Sequence, residues 1–109
     1  MAKQLRFTYN GKDYVLEYTR RTVAEMERMG FVAAEVETKP MSMLPALFQG
    51  AFIAHHRREK KETIDAIFAH MTNKDQLIEK LVEMYSEPIV TMIDDPDDSE
   101  GNVDWTVSW

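Results

Sequence analysis

The sequence predicts an α+β domain built from an N-terminal β-hairpin, four or five helices and a C-terminal strand. Three observations lead to this class: a turn signal between two alternating segments near the N-terminus, helical spacing of apolar residues through the middle of the chain, and a second alternating segment at the C-terminus. With 109 residues, 44% hydrophobic and 29% charged, the chain has the size and composition of one globular domain.

The domain boundaries follow from a change in composition near residue 94. We expect residues 1–93 to form the hairpin-plus-helices domain and residues 94–101, which are mostly acidic, to be a linker with nothing to bury. Residues 102–109 alternate between apolar and polar side chains, which is typical of a strand. This strand pairs either with the N-terminal hairpin or with the sheet edge of another protein.

The hairpin is predicted from residues 5–18. Leu5, Phe7 and Tyr9 alternate with polar residues, and a second extended pattern follows in residues 14–18. Asn10-Gly11 separates the two runs, and this dipeptide favours a tight hairpin turn because both residues tolerate a positive φ.

Two helices are predicted in the first half of the chain after the hairpin. Thr19 or Thr22 can cap the first helix, and Gly30 stands where a left-handed residue would end it. Ser42 can cap the second, whose first turn accepts Pro45 because an amide hydrogen has no intrahelical partner there.

Two further helices are predicted by apolar spacing. The third carries one stripe made of Ile64, Ile67, Phe68 and Met71. The fourth begins at a pair, Asn73 and Gln76, that resembles a capping box, and it is lined by Leu77, Ile78, Leu81, Val82 and Tyr85. We expect Pro88 to break this helix and Ser86 to cap a short fifth helical stretch.

The distribution of charge and hydropathy limits which partners and which cellular compartment are expected. Residues 1–61 carry 11 Lys and Arg against 7 Asp and Glu, whereas residues 62–109 carry 2 against 12. A nucleic-acid-binding stripe is not evident, because clustered positive charge is confined to Arg57, Arg58, Lys60 and Lys61. The chain contains no apolar run long enough to span a membrane and no apolar signal segment, so a cytosolic protein is expected.

The sequence contains no recognisable catalytic, cofactor or metal site. It has no cysteine, no serine in a nucleophile elbow and no phosphate-binding glycine loop. His55 and His56 are adjacent and project about 100° apart on a helix, whereas two ligands on one helix need a spacing of three or four; His70 lies on another helix. We therefore expect no enzyme activity and no bound metal or cofactor.

Two apolar features remain to be explained. Residues 43–54 are apolar on almost every side, which indicates either the central helix of the fold or a helix that contacts a partner. Trp105 and Trp109 fall on one face of the terminal strand, and tryptophan is favoured at binding hot spots. Packing of this strand onto its own domain and docking onto a partner both fit the pattern.

The chain resembles a family of short proteins of tailed phages and prophages of Gram-positive bacteria. The resemblance covers essentially the whole chain, in blocks at residues 7–12, 17–23, 26–31, 45–52, 54–56, 73–74, 81–85 and 101–109. That family is similar to the tail assembly chaperones of phages with long, non-contractile tails.

The resemblance implies a soluble chaperone that coats the tape measure protein, prevents its aggregation and is displaced as tube subunits polymerise. Its partners would be the tape measure protein and the major tail protein, in the host cytoplasm and not in the mature virion, and it could self-associate. The expected contact surface consists of Met43, Leu47, Phe48, Phe52 and Ile53, with Trp105 and Trp109 as a second contact or a self-association strand. The alternatives are a minor tail or connector subunit of the virion and a small nucleic-acid-binding regulator.

Overall fold

The computed structural model describes residues 3–93, 103 and 105–109, and it confirms the α+β class. An N-terminal antiparallel hairpin is followed by five α-helices and one 3₁₀ turn. The elements are β1 (Leu5–Tyr9), β2 (Lys12–Leu16), α1 (Arg20–Arg28), the 3₁₀ turn (Ala33–Glu35), α2 (Pro40–Gly50), α3 (Ile53–His56), α4 (Lys61–His70) and α5 (Lys74–Ile93).

The hairpin forms as predicted. Its two-residue turn has φ values of +50° at Asn10 and +77° at Gly11, the left-handed conformation that such turns require. The strands pair from Leu5 opposite Leu16 to Tyr9 opposite Lys12. Since side chains alternate along a strand, one face packs on the domain while the other faces solvent.

The first helix also begins and ends where the sequence predicts. The Thr19 hydroxyl accepts a hydrogen bond from the Thr22 amide, and the Thr22 hydroxyl accepts one from the Thr19 amide, so the two residues form a capping box. Gly30 follows the helix with φ +98°. Val23 and Met26 turn inward and join the core.

The second helix begins earlier than predicted. Pro40, and not a residue after Ser42, occupies its first turn, and Lys39 precedes it as the N-terminal flanking residue. Proline at the first helical position costs no hydrogen bond, which explains the start. Pro45 therefore lies inside the helix, and its missing amide hydrogen leaves the Met41 carbonyl without its helical donor. After Ala51 and Phe52 the chain continues into the single turn of α3.

The last two helices differ from the prediction at their ends. The stripe of α4 is confirmed, with Ile64 and Ile67 buried. Asn73 has φ +51° and donates its side-chain amide to Gln76, so it does not form the predicted capping box. Helix α5 continues through Pro88 to Ile93, and the Ser86 hydroxyl donates to the Val82 carbonyl instead of capping a new helix. Pro88 is buried against the domain, where packing compensates for the lost helical bond.

The core lies between the hairpin and the helices, with α2 at its centre. Helix α2 contacts α1, α4 and α5. The loop after α2 accepts a hydrogen bond from the end of the hairpin, where the Glu17 amide donates to the Ala51 carbonyl at 3.1 Å. The most buried large side chains are Leu16, Met26, Leu47, Phe48, Phe52, Ile67 and Leu81.

The predicted C-terminal strand is not formed by the residues that the structure describes. Val103 and residues 105–109 have no regular secondary structure, and the sheet contains β1 and β2 alone among the described residues. The predicted acidic linker, residues 94–101, lies outside the described part of the chain. Within the described ranges, no helix has both the length and the apolar character needed to cross a membrane.

Candidate partner-binding surface

The seven residues predicted to contact a partner divide into three groups. Leu47, Phe48 and Phe52 are each 1% exposed and belong to the core, which corrects their assignment to a surface. Helix α2, which carries Leu47 and Phe48, contacts three other helices. Met43 and Ile53 are partly buried and pack against that core.

Trp105 and Trp109 form the third group, and they are the most exposed large side chains of the candidate set. Trp105 is 79% exposed and Trp109 is fully exposed. Val103 and Val107 of the same segment are also exposed. The structure therefore does not bring these residues together with the predicted contacts of α2.

The outer side of α2 separates two surface grooves. The first lies between α2 and α4 and has a volume of about 540 Å³. Met41 stands at its rim and is 91% exposed, while Phe48 and Phe68 form its apolar floor. Lys61 and Asp65 supply charge at the edge of the groove.

The second groove lies between α1 and the α2–α3 segment and has a volume of about 380 Å³. Met29 at its rim is 71% exposed, and Ile53 lines it from α3. Glu25 and Arg57 join α1 to the segment after α3 through two hydrogen bonds of 2.9 and 3.2 Å. This pairing fixes one wall of the groove.

Ala46 and Gln49 line both grooves, so the two form one continuous surface across α2. We call this region the α2 surface, and it consists of Met29, Met41, Pro45, Ala46, Gln49 and Ile53. Exposed methionines beside concave apolar walls suit an adaptable protein contact, because the thioether side chain is flexible and polarisable. The arrangement can bind an apolar ridge.

Gly50, which lines the second groove, is in close contact with the side chain of Met26. A Cβ atom placed on Gly50 would lie 2.4 Å from both Sδ and Cε of Met26. Glycine at this position therefore allows α1 to pack directly against α2.

Two of the three histidines, His55 and His56, connect α3 to the hairpin. Nε2 of His56 accepts a hydrogen bond from the Val15 amide at 3.0 Å, and Nε2 of His55 lies 2.6 Å from Oε1 of Glu17. His70 contacts its own helix, with Nδ1 2.7 Å from the Ala66 carbonyl. Among the described residues no cluster of three His, Asp or Glu side chains is placed to hold a metal ion.

Burial is the main reason that the pKa of His56 is lowered. Lys12 and His55 lower it further, whereas Glu59 opposes them. The neutral ring is the form that accepts the Val15 bond, since a protonated imidazole has no lone pair. Glu59 accepts bonds from Lys12 Nζ at 3.0 Å and from the Tyr14 hydroxyl at 2.9 Å.

The basic cluster after α3 is partly neutralised. The hydrogen bonds to Glu25 raise the pKa of the Arg57 guanidinium, and the same contacts lower the pKa of the Glu25 carboxyl. Lys61 lies 3.8 Å from Asp65. Arg57 is thus committed to an internal contact, which weakens the basis for a nucleic-acid-binding patch.

Sequence reasoning missed Met29 and Met41, the two most exposed members of the α2 surface. Both flank a predicted helix, and exposure at a helix end depends on which neighbouring element covers it. The only available signal was the unusual number of methionines, eight in 109 residues.

The chain belongs to the family described as Domain of unknown function (DUF5055), whose profile matches residues 1–109. No curated protein and no solved structure matches the chain significantly.

Proposed function

We propose that this DUF5055 protein is a phage tail assembly chaperone that binds the tape measure protein and keeps it soluble while the tail tube assembles. The observation that carries the proposal is the α2 surface, two apolar grooves that flank one helix with Met29 and Met41 at their rims. The resemblance of the sequence to tail assembly chaperones supplies the identity of the partner.

The α2 surface suits an amphipathic helix of the partner. Helix-in-groove binding places apolar side chains, spaced three or four residues apart, into pockets on the receptor. The grooves on the two sides of α2 offer two such places, separated by the ridge formed by Pro45, Ala46 and Gln49. Flexible methionines at the rims allow the same surface to accept successive, non-identical segments of a long helical protein.

The charge of the chain supports the same function. A formal charge of −6 keeps a complex dispersed when its partner is apolar, because like-charged complexes repel one another. We place the protein in the host cytoplasm during assembly and outside the mature virion.

Co-expression with the tape measure protein of the same phage or prophage tests the proposal. We expect the tape measure protein to move from the insoluble to the soluble fraction and to co-purify with the chaperone. An unchanged insoluble fraction without co-purification would refute the proposal. Mass spectrometry of purified virions distinguishes a chaperone from the alternative, a minor tail or connector subunit. Only a structural subunit remains in the particle.

Matched methionine substitutions test the α2 surface itself. Met29→Glu and Met41→Glu place a carboxylate at the rim of each groove, where it opposes an apolar ligand. Met92→Glu is the control, because Met92 is 63% exposed at the far end of α5 and lines neither groove. We expect the first two variants to lose co-purification by at least about tenfold and Met92→Glu to retain it. Equal binding by all three would exclude the α2 surface.

A further inference from the structure

The outer edge of β1 carries backbone groups that no residue in the described part of the chain bonds. In an antiparallel pair, alternate residues direct their amides and carbonyls away from the partner strand. The Val15 amide of β2 and the Glu17 amide just after this strand point outward, since they bond His56 and Ala51. Arg6 lies opposite Val15, so the outward set on β1 contains Arg6 and Thr8.

The two edges of the hairpin therefore differ in whether other elements cover them. The edge of β2 is covered by α3 and the loop before it. On β1, no described residue bonds the outward amide or carbonyl of Arg6 or Thr8. Unpaired edge groups are a template for an added strand.

A groove continues from this open edge on the domain side of the sheet. It has a volume of about 340 Å³, and Leu5 and Met84 provide its apolar walls between β1 and α5. Lys3, Lys80 and Glu83 surround it with charge. A strand added beside β1 would direct every second side chain into this groove.

The same chain carries a segment with the matching pattern. In residues 103–109, Val103, Trp105, Val107 and Trp109 alternate with polar residues, as Leu5, Phe7 and Tyr9 alternate with Arg6 and Thr8 in β1. The described residues of this segment are exposed and unpaired while the edge of their own β1 is open. Residues 94–102, fully extended, span up to about 30 Å, which is enough to reach a neighbouring molecule.

We propose that residues 103–109 of one copy add as a third strand to the open edge of β1 in a second copy, and that two copies exchange these segments reciprocally. The indoles enter the groove beside Leu5 and Met84, and the polar side chains lie on the solvent face with Arg6 and Thr8. Four indoles and the surface that they cover remove about 1,200–2,000 Å² from water, the area of a stable dimer interface. A C2 pair of this kind closes both edges at once.

Tryptophan fluorescence reports directly on this contact, because Trp105 and Trp109 are the only tryptophans in the chain. With the full-length protein from micromolar to millimolar concentration, we expect the mass in sedimentation to double and the emission to shift to the blue together. A monomer with solvent-like emission at every concentration would overturn the proposal. A monomer with blue-shifted emission would also overturn it, since that result assigns the edge to the segment of the same copy.

Proline at position 8 tests the edge. Thr8→Pro removes an outward amide hydrogen, which does not bond β2, and proline is tolerated on an edge strand. Thr8→Ala is the matched control, because both variants lose the hydroxyl bond to Asp13 but only the proline loses the amide hydrogen. With two exchanged strands, we expect Thr8→Pro to raise the dimer Kd by at least about tenfold and Thr8→Ala to leave it unchanged. Equal dimer Kd values for the two variants would refute strand addition at β1.

A mixing experiment identifies the occupant and remains decisive if Thr8→Pro weakens the hairpin. The double variant Trp105→Ser/Trp109→Ser has no tryptophan but keeps an open edge. When it is added to Thr8→Pro, all emission comes from the segment of the Thr8→Pro copy. We expect a blue shift and a heterodimer at a concentration where each variant alone is monomeric. Emission that stays solvent-like after mixing would exclude exchange between copies.

Discussion

The contact between Gly50 and Met26 makes a sharp prediction about how α1 and α2 pack. Gly50→Ala would normally stabilise a helical position by up to about 1 kcal/mol, because alanine loses less backbone entropy. Here the new methyl would lie 2.4 Å from Sδ and Cε and 2.9 Å from Cγ of Met26. Ordinary carbon contacts are about 3.5–4.0 Å, so the end of the Met26 side chain must retreat by about 1 Å or more.

Met26 has little space for that retreat, because it is 1% exposed. Overfilling a packed core costs about 1–3 kcal/mol, although the flexible methionine relieves part of this strain. After the gain in helix propensity, we expect Gly50→Ala to destabilise the domain by up to about 2 kcal/mol. Urea unfolding followed by far-ultraviolet circular dichroism gives this free energy, since the exposed tryptophans do not report on the core.

The Met26→Ala background supplies the control. Alone, Met26→Ala should cost about 2–5 kcal/mol and leave a cavity where Sδ and Cε were. Gly50→Ala then fills part of that cavity and should stabilise by about 0.5–1.5 kcal/mol, so its sign reverses between the two backgrounds. If Gly50→Ala has the same sign in both backgrounds, steric contact with Met26 is not what selects glycine.

Two further predictions test the core and the hairpin. Phe48→Ala should destabilise the domain by about 3–5 kcal/mol. Met41→Ala, at an exposed position in the first turn of the same helix, should change stability by less than about 0.5 kcal/mol. Similar urea midpoints for the two variants would refute the assigned burial of Phe48. Because the pKa of His56 is lowered by folding, the unfolded chain takes up its proton first as the pH falls below about 6.5. The stability that the neutral ring contributes is thus retained above that pH and lost below it. His56→Gln can still accept the Val15 bond but does not titrate, so this variant should lose less free energy of unfolding than the wild type between pH 7 and 5. An identical pH profile for the two proteins would contradict this.

Local signals predicted the first half of the fold well. Asn10-Gly11 and the pair Thr19 and Thr22 specify a turn and a cap through their own backbone and side-chain bonds, so neither depends on distant contacts. Pro88 failed as a helix breaker because tertiary packing decided the outcome: the residue is buried, and α5 continues beyond it. The end of a helix that is stabilised by packing cannot be read from propensity alone.

The candidate surface was less predictable, for a related reason. The apolar residues 43–54 fitted a core helix and a partner helix equally, and only the contacts of α2 with α1, α4 and α5 show which side is inside. Phe48 is therefore core. Met41, seven residues earlier, lies on nearly the same face of the helix but in its first turn, where it is exposed. Periodicity identifies a face only when one side is polar, and α2 has no such side.

The two proposed contacts use different parts of the molecule, and this separation makes them independently testable. The α2 surface lies on the helices, whereas strand exchange uses the edge of β1 and residues 103–109. Met41→Glu should weaken capture of the tape measure protein without changing the dimer, and Thr8→Pro should dissociate the dimer without changing the α2 surface. If Thr8→Pro also weakens capture, pairing two α2 surfaces contributes avidity along a repetitive helical partner. Loss of the dimer in Met41→Glu would instead mean that the α2 surface itself joins the copies.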